Sequence, residues 1–128
     1  MAKILVVDDE LALRELMQDF LEAAGHKVVT AENGLESLGK LRGGGFQLMI
    51  SDVNMPGLSG VELLRLLRRD PEFKNLPVLM CTARDTMGEV DQAFEAGANG
   101  YVVKPFDLKS LTESVAKALA AKAQPFSA

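Results

Sequence analysis

The sequence predicts an α/β domain of five consecutive βα units, folded as an open, doubly wound parallel sheet of five strands. Three observations carry that expectation. Five short runs rich in Val, Ile and Leu recur along the chain, each followed by a longer stretch with apolar residues three and four apart. The runs are continuous rather than alternating in polarity, as strands covered on both faces must be. Strict alternation of strand and helix gives parallel strands joined by right-handed crossovers, and five units are too few to close an eightfold barrel.

Each element has its own signal. Ile4-Leu5-Val6-Val7 reads as the first strand, and Leu13, Leu16, Met17, Phe20, Leu21 and Ala24 as the inner stripe of a helix that stops at Gly25. Val28-Val29-Thr30 is a second strand. Asn33-Gly34 opens a helix through Leu35, Leu38 and Leu41 that ends at Gly43-Gly44-Gly45, and Phe46–Ile50 forms a third strand. Ser59 and Gly60 precede a helix carrying Val61, Leu64, Leu67 and Arg68, terminated by Asp70-Pro71. Val78–Cys81 is the fourth strand. Met87, Val90, Ala93 and Phe94 mark the inward face of a fourth helix that ends at Gly97. Tyr101-Val102-Val103 is the fifth strand, and Leu108, Leu111, Val115, Ala118 and Leu119 line a last helix. The expected domain spans residues 1–123, with a loose tail over 124–128.

Bulk properties narrow the function classes. The chain has 128 residues, 48% of them hydrophobic and 25% charged, as one ordinary domain requires. A net charge of −4 gives no electrostatic footprint for direct nucleic acid binding. No apolar run approaches the roughly 20 residues that span a bilayer. A single cysteine, Cys81, excludes an internal disulfide. The expected location is cytoplasmic. Cys81 and the six methionines read as core filling, and His26 as a surface residue in a helix–strand turn.

The chemistry sits where strands end. In an open parallel sheet the carboxyl ends of the strands face one crevice, where ligands bind. Four motifs fall there: Val6-Val7-Asp8-Asp9, Ser51-Asp52-Val53-Asn54-Met55-Pro56-Gly57, Cys81-Thr82-Ala83 and Val103-Lys104-Pro105-Phe106. The first junction carries Asp8-Asp9-Glu10 and no glycine, so it repels a bare phosphate and suits Mg²⁺, which takes oxygen ligands. Asp52 should stand beside that pair, Lys104 should supply a fixed positive charge, and Thr82 a hydroxyl for a phosphoryl oxygen. Taken singly, Asp8, Asp9 or Asp52 would read as a helix cap or turn former, and Lys104 as a solvated surface residue. Independent capping does not explain four such motifs at one end of one sheet. Tyr101, the chain's only tyrosine, fits packing and switching equally well.

Together these motifs, with Gly97-Ala98-Asn99-Gly100-Tyr101, resemble the receiver domain of two-component response regulators over essentially the whole chain. The pattern is CheY-like, including Asn54 two residues after Asp52. The resemblance implies strand order 2-1-3-4-5 and a cis peptide at Lys104-Pro105. It implies that Asp52 takes a phosphoryl group from a phosphohistidine of a sensor histidine kinase or phosphotransfer protein. Asp9, Asp52 and the backbone carbonyl of Asn54 would bind Mg²⁺, with Asp8 acting through water. Lys104 would contact the phosphoryl group, and Thr82 and Tyr101 would switch together, presenting the surface of the fourth helix, fifth strand and fifth helix to a downstream protein. Such a domain works as a monomer or a phosphorylation-dependent dimer, and catalyses only its own phosphorylation and dephosphorylation. One stretch departs from the enteric CheY pattern: Arg84–Glu89 lacks its basic pair.

Three rivals fit less well. A haloacid dehalogenase-type phosphatase needs a second Asp two residues after its nucleophile, where this chain has Asn54. A flavodoxin-like binder is disfavoured by the acidic first loop. A degenerate receiver serving only as an interaction module would lack a position of the site, and none is lacking. The output is either that of a stand-alone regulator or that of a receiver within a longer chain bearing a DNA-binding or enzymatic domain.

Overall fold

Continuous apolar runs become five parallel strands: β1 (Lys3–Val7), β2 (Lys27–Ala31), β3 (Leu48–Asp52), β4 (Val78–Ala83) and β5 (Gly100–Lys104). The computed structural model describes residues 2–83 and 87–123. Strand order is β2-β1-β3-β4-β5, as expected, with all four neighbouring pairs parallel. The crossovers are α1 (Leu11–Ala23), α2 (Gly34–Leu41), α3 (Gly60–Arg69) and α4 (Met87–Ala96), and α5 (Leu108–Ala123) follows β5. The expected tail over 124–128 lies outside the described residues.

The two-residue period of the strands divides the core into two layers. Leu5, Val7, Met49, Val78 and Met80 face Leu41, Val61, Leu64, Leu67 and Ala93 of α2, α3 and α4. Ile4, Val6, Leu48, Ile50, Leu79 and Cys81 face Met17, Leu21, Leu111, Val115 and Ala118 of α1 and α5. Both faces of the sheet are therefore dry, and only its edges and strand ends reach solvent.

Local signals set the helix boundaries. The Asn33 side chain accepts a hydrogen bond from the Glu36 N–H at 2.8 Å, and Ser59 forms a reciprocal capping box with Glu62. Gly25 and Gly97 leave their helices at φ +93° and +108°, which side-chain-bearing residues rarely adopt.

Several expectations need correction. β3 begins and ends two residues later than the apolar run suggested. Ser51 and Asp52 are polar but still pair with Met80 and Cys81, while Gln47 meets Lys3 through its N–H and its side-chain oxygen and stays outside the strand. β4 likewise runs on through Thr82 and Ala83. Leu35 does not join the core and is 74% exposed. Three-residue spacing drifts about 60° per step on a helix, so Leu35 falls off the stripe centred on Gly34, Ser37 and Leu41. Phe94, expected to face inward, is 46% exposed, because Ala93 takes the buried position beside it. Leu16 and Leu108 are exposed as well. Arg68, read only as part of a helix stripe, is a hub. Its guanidinium donates to the Gly97 and Phe73 carbonyls and to the Asn99 side chain at 2.9–3.1 Å.

Gly60 fixes where α3 meets the sheet. Its N–H donates to the Val53 carbonyl, and a Cβ built on it would lie 2.1 Å from the Asp52 backbone oxygen. No side chain fits without displacing the end of β3. Gly60→Ala should therefore cost about 1–3 kcal/mol despite its better helix propensity, through overpacking against backbone that cannot rotate away. Urea unfolding of the variant checks this.

Candidate functional site

Register brings the predicted residues together. Val7 lies opposite Ser51, Asp52 opposite Cys81, and Ala83 opposite Lys104, so β1, β3, β4 and β5 end at one edge. Asp8 continues β1, with its N–H bonded to the Ala31 carbonyl at 3.1 Å. Asp52 and Lys104 are the last residues of their strands rather than the residues after them, and Thr82 is the buried penultimate residue of β4.

The Lys104 ammonium lies between two carboxylates, 3.3 Å from Asp52 Oδ2 and 3.4 Å from Asp8 Oδ2. Asp8 is fully buried and Asp52 is 8% exposed. Their other oxygens serve the local backbone: Asp8 Oδ1 accepts from the Glu10 N–H at 2.9 Å, and Asp52 Oδ1 from the Asn54 N–H at 3.3 Å. Asp9 stands exposed at the mouth. One oxygen from each of Asp8, Asp9 and Asp52 falls within 4.8 Å of the others. Formally the cluster carries three negative charges against one positive. A hard divalent cation that takes oxygen ligands matches both the residual charge and the donor set.

Burial pushes the Asp52 carboxyl above the usual carboxylate range and the Asp8 charge adds to this, while Lys104 opposes both. Burial alone would pull Lys104 down, but Asp52 and Asp8 together hold its ammonium above the ordinary lysine value. Cys81, fully buried next door, is pushed up to about 12 and is an inert core thiol, as expected. His26 is half-buried, and its Nδ1 accepts from the Ala2 N–H.

Two further predicted residues lie on neighbouring segments. Asn54 is exposed in the β3–α3 loop, tied to Asp52 through its own N–H. Tyr101 lies across from Met80 in β5, exposed and edge-on to Phe94 of α4 with ring centroids 5.9 Å apart. The peptide Lys104-Pro105 is cis. Sequence reasoning missed Arg14, whose guanidinium donates to the Asp8 carbonyl at 2.7 Å. Its only signal was a basic residue four after Glu10, which most helices could show.

The electrostatics give a stability test. A carboxyl with a raised folded-state pKa stabilises the fold fully below the unfolded value, and that contribution is lost as pH rises through the folded value. At neutral pH without metal, ionised Asp52 is therefore a liability. Asp52→Asn should melt higher than the parent at pH 7, with the gain shrinking as pH falls toward 4; thermal melts across that range check it.

The family model for the response regulator receiver domain matches residues 4–116. The chain is 41% identical over 116 residues to the chemotaxis protein CheY of Pseudomonas aeruginosa, covering 90% of this chain and 94% of that protein. It is 36% identical to the solved CheY4 of Vibrio cholerae, with a TM-score of 0.88 over 93% of this chain and 99% of the other. NtrX from Brucella abortus matches with TM-score 0.90 and 29% identity over 95% of this chain, yet only 28% of the NtrX chain is covered. Among the described residues, no helix is long and apolar enough to cross a membrane. The chain belongs to the response regulator receiver domain family of two-component signalling.

Proposed function

We propose that Asp52 is the phosphoacceptor of this receiver, taking its phosphoryl group from a phosphohistidine of a sensor kinase or phosphotransfer protein. The observation that carries the reading is the Lys104 ammonium 3.3 Å from Asp52 and 3.4 Å from Asp8, with Asp9 within reach of both carboxylates. Once a divalent cation offsets the carboxylates, the ammonium is placed to receive a group arriving with negative charge of its own. Asp9, Asp52 and the Asn54 backbone carbonyl would hold Mg²⁺, with Asp8 acting through water, and the ion would supply charge neutralisation for the phosphoryl oxygens, the main requirement of such a transfer.

Transfer itself uses the chain's own residues. An Asp52 carboxylate oxygen forms a bond to phosphorus as the P–N bond to the partner imidazole breaks, and the imidazole leaves with the electron pair. Lys104 then exchanges its contact with the Asp52 carboxylate for one with a phosphoryl oxygen, a charge-assisted bond. The Thr82 hydroxyl donates to another phosphoryl oxygen from the neighbouring strand. Water attack on the acyl phosphate reverses the modification, so the chain catalyses only its own phosphorylation and dephosphorylation.

The output surface is α4-β5-α5. Thr82 is on the strand beside Tyr101, and the Tyr101 ring touches α4 through Phe94, so a shift at Thr82 is relayed to an exposed apolar face. The downstream partner is a protein, the location cytoplasmic, and the domain a monomer or a phosphorylation-dependent dimer with no direct nucleic acid contact. CheY relatives match over nearly their whole length and favour a stand-alone, chemotaxis-like regulator; NtrX illustrates the alternative of a receiver within a longer chain.

Incubation with acetyl phosphate and Mg²⁺ should add one phosphoryl group to the parent and none to Asp52→Asn, read by intact mass. Beryllofluoride, which mimics the acyl phosphate, should shift amides through residues 87–103 in the parent. Full incorporation in Asp52→Asn would refute the acceptor assignment, and shifts confined to residues beside Asp9, Asp52 and Thr82 would refute the output face.

A further inference from the structure

We infer that Arg14 is a positioning residue for the cation at the acidic cluster, an inference that rests on the Mg²⁺ site proposed above. The loop that carries Asp8 and Asp9 enters α1 without a conventional cap: Glu10 occupies the N-cap position, and its side chain caps nothing. Besides the Lys104 contact with Asp8, two side-chain bonds fasten that loop. In the first, Asp8 Oδ1 accepts from the Glu10 N–H at 2.9 Å. In the second, Arg14 Nη1 donates to the Asp8 backbone carbonyl at 2.7 Å.

These two fasteners differ in what a cation does to them. The first uses a carboxylate of the cluster, whose electrons a cation attracts. The second uses only a backbone carbonyl, so it survives metal binding unchanged. Arg14 is itself fixed, because its N–H donates to the Glu10 carbonyl at 3.0 Å and its side chain is 12% exposed. Its Nη2 lies 3.9 Å from Glu32, beyond the end of β2. One planar fork thus spans the end of β1, the first turn of α1 and the β2–α2 loop, a geometry that a lysine point charge cannot copy. Its permanent positive charge also sits against the residue that begins the cluster, offsetting carboxylate repulsion without occupying a ligand oxygen.

Outer partners of this kind typically change metal affinity by about 10–100-fold when removed. The experiment is calorimetric titration of Mg²⁺ into the full chain, parent against Arg14→Met and Arg14→Lys, with a metal-free thermal melt of each. Both variants should bind Mg²⁺ at least ~10-fold more weakly. With acetyl phosphate, the half-saturating Mg²⁺ concentration should rise while the rate at saturating Mg²⁺ returns near the parent value. A role confined to stability would lower the melting temperature and leave the Mg²⁺ affinity of the folded protein at the parent value, and that result overturns the inference. If Arg14→Met does not fold, Arg14→Lys decides by the same comparison. A parent that binds no Mg²⁺ fails the underlying reading instead, which the parent titration alone reveals.

Discussion

Charge crowding at one sheet edge is the constraint around which this molecule is organised. Three carboxylates have oxygens within 4.8 Å of one another, and one ammonium contacts two of them. At an effective dielectric near 20, a pair of unit charges at 4 Å interacts by about 4 kcal/mol. Two ammonium contacts therefore oppose three carboxylate repulsions of similar size, and the balance is unfavourable until further positive charge arrives. Burial first, and then the Asp8 charge, raise the Asp52 carboxyl, while the two carboxylates together strengthen the Lys104 ammonium. The charge and the oxygen donors of such a site match a hard divalent cation.

The fold bears the cost of gathering like charges. Strands β1, β3 and β5 are fixed by the ladder and by two dry layers of Val, Leu, Ile and Met, so the carboxylates cannot drift apart. Gly60 lets α3 start in contact with the Asp52 carbonyl, which fixes the Asp52 backbone from the other side. Arg68 and Asn99 do comparable work at the far end of α4: Asn99 exchanges hydrogen bonds with Val78 through both its N–H and its side chain, and Arg68 binds the Gly97 carbonyl. The α4 helix is thus anchored at its C-terminal end, where Phe94 in the last turn also meets Tyr101.

Much of this was legible from residue order, for physical reasons. Buried parallel strands must be continuous apolar runs, and their carboxyl ends must share an edge, so Asp8, Asp9, Asp52, Thr82 and Lys104 could be brought together before any coordinates. What could not be read was set by tertiary partners. The last two residues of β3 are polar, and only their ladder partners, Val7 and Met80 for Ser51 and Cys81 for Asp52, make them strand. Leu35 and Phe94 carry apolar side chains at plausible spacings, yet the sheet covers the neighbouring positions instead. The reach of Arg14 back to Asp8, and the close approach of Gly60 to Asp52, depend on chain directions that composition does not encode. Tyr101 was ambiguous in the sequence because a strand position does not reveal which helix its ring meets.

Titration of the Asp52 side-chain carboxyl by carbon NMR tests the central electrostatic claim most directly. In metal-free protein Asp52 should titrate above the ordinary aspartate value, and Lys104→Met should move it higher still, since the ammonium is the main group that opposes burial and Asp8. Added Mg²⁺ should lower it again. An Asp52 that titrates at or below the ordinary value without metal, and does not respond to loss of Lys104, would contradict the account.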